Sequence, residues 1–282
     1  MVKRLIVNAD DYARSPGVSR GILEAHRQGI VTSTTMMVNV DGVTEAVALA
    51  RDCPALGLGL HLVFASWRPV LPPASVPGLV TTQGFFLDQF TFWNRADEIP
   101  LDQLAAELLA QYERFLELVG RPPDHLDCHQ FVHAHPRLFA LYVEMADRFH
   151  LPLRVPFSPE MGWKTQVAIA PFLEGSSPES LKAMIQEDLA LIQERDVAHP
   201  DHSLTTWFGR DALTLEHLLH LLETLQDGVS EMLCHPGYSD DALGASGYRS
   251  ERELELKLLT HPAAKERVRD LAIELVTFDA VR

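Results

Sequence analysis

The chain has 282 residues, 46% of them hydrophobic, and a formal net charge of −15 at pH 7. That length suits a single α/β barrel domain over residues 1–282 with ample material for a core, and the acidic balance argues against a nucleic-acid partner or an anionic membrane surface. No window holds the roughly 18 uninterrupted apolar residues of a membrane span, and three cysteines form an odd, sparse set that points to thiols in a reducing, cytoplasmic compartment.

In chain order, Lys3–Asn8 is a short apolar run that predicts a buried first strand rather than a signal peptide, and it leads into Ala9-Asp10-Asp11. Ser15-Pro16 supplies an N-cap and an N1 proline for a helix to about Arg27, ending near Gly29. Val31–Asn39 is β-branched and predicts a second strand, Asp41 a cap for a helix through Ala50, and Leu56–Val63 a third strand. Residues 64–100 break the pattern. They are rich in proline and carry Trp67, Phe85, Phe86, Phe90, Phe92 and Trp93, which predicts a folded insertion near the site, either touching a substrate or serving as a plain hydrophobic flap.

Leu101, Leu104, Leu108, Tyr112, Phe115 and Val119 recur at helical spacing and define a helix over Leu101–Val119, stopped by Gly120 and Pro122-Pro123. After a histidine-bearing strand, a helix is predicted from Pro136 to about Phe149, then a strand at Leu153–Val155 and an irregular stretch to Ser177. Ser177-Pro178 opens a helix to about Arg195. Further elements are expected at Thr205–Phe208 (strand), Thr214–Gln226 (helix), Val229–Cys234 (strand), a helix with a Ser250/Glu253 capping box, and a closing strand at Glu274–Phe278. Seven or so alternations of strand and helix imply a parallel sheet, most simply an irregular (β/α) barrel.

The densest chemistry lies in Asp124–Pro136, where four of the chain's 13 histidines and two carboxylates occur together. In an extended strand His125, Asp127 and His129 share one face and Leu126 and Cys128 the other. Burying three ionisable groups unpaired on one face would cost several kcal/mol, so hydrogen-bonded histidines at a polar strand end or a metal or reaction centre are the two ways to account for them. Polar groups also fall at or after other strand ends: Asp10 and Asp11, His61, Arg154 and His235. In an α/β barrel those ends open on the face that carries active sites. Adjacent carboxylates such as Asp10 and Asp11 repel, so one is neutralised by a proton or a cation. Asp11, His61 and His129 would make a two-histidine, one-carboxylate set with open positions, the pattern of a catalytic metal.

Asn8-Ala9-Asp10-Asp11-Tyr12, Thr32-Ser33-Thr34-Thr35, Gly59-Leu60-His61, His125-Leu126-Asp127-Cys128-His129 and Cys234-His235-Pro236-Gly237 resemble, in order, the motifs of the YdjC-like carbohydrate deacetylases, the family of the chitooligosaccharide deacetylases. The resemblance implies metal-dependent hydrolysis of the N-acetyl group of an amino sugar. Asp11, His61 and His129 would bind one divalent ion (magnesium or zinc, with manganese or cobalt also suited to the set). Asp10 would be the general base and His235 the acid, Arg154 would orient a carboxylate or hold substrate, and His133 would contact substrate or support the site. The implied partner is an N-acetylated sugar or oligosaccharide, and a homodimer is an expectation of the resemblance alone. Two departures stand out. Ala13 replaces a common glycine, so the turn there should avoid a glycine-only geometry, and Phe131 stands where another histidine is common.

Two other functions fit parts of this pattern. His125-x-Asp127 with a distal histidine has the ligand types of a non-haem iron oxygenase, for which Asp127→Ala rather than Asp11→Ala would abolish metal binding. A non-catalytic sugar-binding relative would need neither Asp10 nor His235. His217 and His220 are read as helix-face residues, His199 and His202 as surface loop residues, and Cys128 and Cys234 as small core residues turned away from the site.

Overall fold

The computed structural model of the protein describes residues 2–157, 178–244 and 246–281. The expected irregular stretch to Ser177, and the Ser177 cap, lie outside the described residues apart from its first positions. The longest described strand, β1 (Lys3–Tyr12), is the hub of the sheet. Its Leu5, Ile6 and Val7 have no exposed surface, the signature of a parallel strand covered on both faces. Along one edge β1 pairs with β6 (Gly228–Cys234) from Lys3 to Ala9. Along the other it pairs first with β7 (Glu274–Leu275) at Arg4 and Leu5, then with β2 (Ser33–Met36) from Asn8 onward.

With β3 (Gly57–Leu62), β4 (Leu126–Cys128) and β5 (His202–Leu204) the sheet has seven strands in the order β4-β3-β2-β1-β6-β5, with β7 beside β1. This is the irregular (β/α) barrel expected, left open between β4 and β5 among the described residues. The strand expected at Thr205–Phe208 is displaced: β5 lies just before it, and the aromatic residues pack a loop, with Trp207 buried and Phe208 exposed. Leu153–Val155 is reduced to one parallel bridge, Leu126 to Leu153.

The helices α1 (Pro16–Gln28), α2 (Val43–Ala50), α3 (Gln89–Asn94), α4 (Leu101–Val119), α5 (Pro136–Phe149), α6 (Pro178–Arg195), α7 (Leu215–Glu223), α8 (Ser250–Leu259) and α9 (Pro262–Asp270) follow the periodicity closely. Ser15 caps α1 through Val18 N, and Gly120 closes α4 at φ +80°, the left-handed position glycine takes without penalty. Three local expectations fail. Asp41 does not cap α2, whose first position follows Gly42 with no side-chain cap. The Ser250/Glu253 box does not form, because Glu253 accepts Ser239 N–H instead. The closing strand stops at Leu275, and Phe278 turns inward to pack on Ile6 and Val229.

By contacts the chain divides into two compact units, one of Met1–Met37, Asp41–Gly59 and Pro200–Arg282, the other of Val38–Val40 and Leu60–His199. In the second, the aromatic insertion is folded. Phe64 packs on Phe86 and Phe92 with ring centroids 6.4 and 6.3 Å away. Buried Glu107 of α4 accepts the N–H groups of Val70 and Leu71 at 2.8 and 3.0 Å, and Gln111, one turn on, bonds both backbone groups of Val63. No helix among the described residues is long and apolar enough to cross a membrane.

In the first unit α1 approaches the loop after β6 so closely that a Cβ on Gly21 would lie 2.5 Å from Gly237 Cα. Backbone cannot yield as a side-chain tip can. Gly21→Ala is therefore expected to destabilise the protein by about 1–3 kcal/mol through overpacking, outweighing the roughly 1 kcal/mol that alanine gains in helix propensity. A shift of the urea midpoint at unchanged slope checks this; an unchanged or higher midpoint would contradict the close approach.

Candidate active site

In the first unit the site is built by an irregularity in β1. Consecutive strand residues point to opposite faces, which would separate Asp10 from Asp11. The β1–β2 register slips between Ala9 and Tyr12, and Asp11 takes φ +70°, a bulge of the kind that re-aims side chains beside active sites. Asp10 accepts Asn8 Nδ2–H at 3.0 Å on Oδ1, and its Oδ2 lies 3.8 Å from His235 Nε2. Asp11 is held through Oδ2 by Arg14 at 3.0 Å and by Arg252. Ala13 also has positive φ, +75°. The turn does adopt the left-handed geometry that glycine favours, and Ala13 N–H is anchored on Ser19 Oγ at 3.2 Å.

Arg252 and Glu255 come from α8. Glu255 accepts the His235 backbone N–H on one oxygen and the Tyr248 hydroxyl on the other. Burial pushes its carboxyl up to about 7 and holds the Tyr248 hydroxyl above its usual range, with Glu255 the next cause. Neither residue stands out in the motifs. A signal was present: Arg252, Glu255, Leu256 and Leu259 fall at i, i+3, i+4 and i+7, so a charged pair sits on the apolar stripe of its helix, and all four are buried.

In the second unit His61, from β3, and His129, just past β4, are buried, with His61 Nε2 3.2 Å from His129 Nδ1. The other nitrogen of His61 meets Asp127 Oδ1 at 2.6 Å, while Asp127 Oδ2 receives Arg154 at 2.9 Å. Asp127 thus spends one oxygen on an imidazole and the other on a guanidinium. His125 turns to Asp124, 2.5 Å away. Trp67, at the start of the insertion, sets its ring edge-on to His129 at 5.1 Å. His133 lies among Phe131, Phe139 and Tyr142. Burial, then Arg154, lowers its pKa to about 3, so it is a neutral imidazole.

The other histidines and cysteines take ordinary roles. His217 donates Nδ1–H to Ala212 O, and His202 donates Nε2–H to Asp227 O, next to the first residue of β6 and so away from the strand ends that carry the candidate groups. All three cysteines are buried thiols outside any disulfide. Burial raises the Cys128 thiol well above its usual range, as for an inert core residue.

Parallel α/β folds carry active sites at their strand ends, and each unit places ionisable groups there: Asp10, Asp11 and His235 in the first, His61, Asp127 and His129 in the second. The chain belongs to the YdjC-like protein family, whose model matches residues 4–270. A carbohydrate deacetylase of Brevibacillus brevis is 35% identical over 98% of each chain, and a chitooligosaccharide deacetylase of Proteus mirabilis is 34% identical over 99% of this chain and 98% of its own. The crystal structure of a putative cellobiose-phosphate cleavage protein from Enterococcus faecalis, 33% identical, superposes with a TM-score of 0.84 over 99% of both chains.

Two measurements follow from this geometry. Arg154→Met leaves the Asp127 carboxylate buried with one partner fewer and is expected to cost about 3–5 kcal/mol of folding stability; a loss under 1 kcal/mol in chemical denaturation would show the pair to be dispensable. Glu255 has a folded pKa of about 7 against an ordinary 4.5, so the folded state holds its proton more tightly. Its contribution is complete below about pH 4.5 and is lost as pH rises through about 7. Glu255→Gln should flatten the fall in stability between those values, and a stability–pH curve identical to wild type would contradict the shift.

Proposed function

We propose that this protein hydrolyses the N-acetyl group of an amino sugar or chitooligosaccharide, such as diacetylchitobiose, releasing acetate. The observation that carries the reading is the pairing of Asp10 with His235 across 3.8 Å, with each group separately held, Asp10 by Asn8 and the His235 backbone by Glu255. A carboxylate and an imidazole facing one another supply the base and the acid that amide hydrolysis needs. The names of the related deacetylases, which match over nearly the whole chain, agree with that chemistry.

The donor set fits a divalent cation held by Asp11, His61 and His129. A metal-bound histidine gives its second nitrogen to a carboxylate that fixes its tautomer, and Asp127 has that relation to His61. A bound cation would supply Lewis acidity toward the amide carbonyl and make a water more acidic. Asp10 takes the proton of the attacking water. His235 carries a proton to the departing amine nitrogen, so that the amine leaves neutral. Arg154 acts through Asp127 rather than on substrate, and His133 offers a neutral imidazole to a sugar hydroxyl.

The oxygenase alternative needs Asp127 as a ligand, but both its oxygens are already engaged, by His61 and by Arg154. A pure sugar binder has no use for the Asp10–His235 pair.

The test is acetate release from N,N′-diacetylchitobiose by metal-stripped protein with and without added zinc, magnesium, manganese or cobalt. We expect metal-dependent release that disappears in Asp11→Ala. Asp127→Asn should weaken metal binding about 10–100-fold without abolishing it, and His235→Ala should lower kcat by about 10²–10⁴ with metal retained. Tight metal binding without acetate would move the reaction to other acyl-amino substrates; absence of both would sink the reading.

A further inference from the structure

Among the described residues Phe208 is one of few large apolar side chains left exposed, at 39%. A single exposed phenylalanine is ordinary on a protein surface; its setting here is not. The chain leaves β5 at Leu204, buries Trp207 as an anchor and turns at Gly209, φ +83°, so that Phe208 projects from a fixed loop. Its ring lies flat on Tyr248, centroids 4.9 Å apart and planes 4° from parallel, and meets His235 edge-on at 5.3 Å. Tyr248 is fixed in turn by the bond from its hydroxyl to buried Glu255. One face of Phe208 is therefore spent on Tyr248, and the ring is held next to the imidazole assigned above as the acid.

We propose that the outer face of Phe208 is a stacking platform for a sugar ring, which sets the ring's acetamido group beside His235. The inference rests on the sugar reading above. A pyranose has an apolar face of C–H groups and a polar rim, so a flat apolar surface takes the face while rim hydroxyls stay with water or polar neighbours. A ring already stacked on Tyr248 and in edge contact with His235 loses little further freedom on binding. An acyl chain or a plain hydrophobic contact would need apolar bulk there but not flatness, and that difference decides the test.

Binding of N,N′-diacetylchitobiose would be measured by titration calorimetry on the full chain, with KM and kcat for acetate release measured beside it, in wild type, Phe208→Ala, Phe208→Leu and Phe208→Trp. Each variant is accepted only if its thermal unfolding matches wild type. We expect the alanine and leucine variants to bind about tenfold more weakly, with KM raised in step and kcat within about threefold, and the tryptophan variant to stay within about threefold of wild type. Leucine binding as tightly as phenylalanine, or a loss confined to kcat, would overturn the platform. Acetate release that is indifferent to Phe208 would overturn it while leaving the deacetylase reading in place. Sugar binding that depends on Phe208 without acetate release would keep the platform and remove the deacetylase reading. No sugar binding by wild type would remove both.

Discussion

The slip in β1 between Ala9 and Tyr12 is the constraint on which the first unit's chemistry depends. A regular strand cannot aim two consecutive carboxylates at one neighbourhood. The slip places Asp10 against His235 and Asp11 against Arg252, groups that both belong to the segment running from β6 into α8. Its cost is local strain: Asp11 and Ala13 both sit at positive φ, in a region that disfavours residues with a Cβ by about 1–2 kcal/mol each. The surroundings compensate. Two guanidinium groups grip Asp11, and Ser19 holds the Ala13 amide. The flanking strand, buried from Leu5 onward and paired on both edges, gives the bulge no room to relax.

Helix α8 is the second support. It delivers Arg252 to Asp11 and, one turn later, Glu255 to the backbone of His235 and the hydroxyl of Tyr248. One rigid element thus fixes the proposed ligand, the proposed acid and the aromatic pair beside it. In the second unit Asp127 has a comparable role, shared between His61 and Arg154. In Glu255 and in Asp127 each carboxyl oxygen has its own partner, so removing one partner strands a buried polar group rather than merely subtracting a contact.

Much of the fold was legible because its signals are local. The face of α4 repeats at helical spacing, Ser15-Pro16 announces α1, and the β-branched and apolar runs mark the strands. Two of the elements misplaced or shortened, Thr205–Phe208 and Glu274–Phe278, are ones in which aromatic residues serve a loop or a core plug instead of a ladder, and propensity does not distinguish these uses. The strand-end histidines and aspartates could be listed as candidates from spacing. The role of Arg252 could not, since its contact with Asp11 spans 241 residues of chain; Arg14 beside Asp11 and Tyr248 beside Glu255 are short-range pairs that no motif marks. Ala13 shows the opposite error: the residue type suggested a relaxed turn, and the tertiary context imposed the strained one.

The pairing of β1 with β6 has a consequence for how the chain acquires its structure. Cys234 Sγ reaches the carbonyl of Asn8 across 226 residues, and the long excursion from Leu60 to His199 forms a compact unit of its own in between. On the ribosome, β1 and the strained carboxylate turn emerge well before β6 and gain that edge only once the intervening chain has been made. Closing so long a loop is slow, and hydrophobic strand edges wait exposed meanwhile. The compact unit between them is made during that wait, so carboxylates that emerge early are fixed in place late.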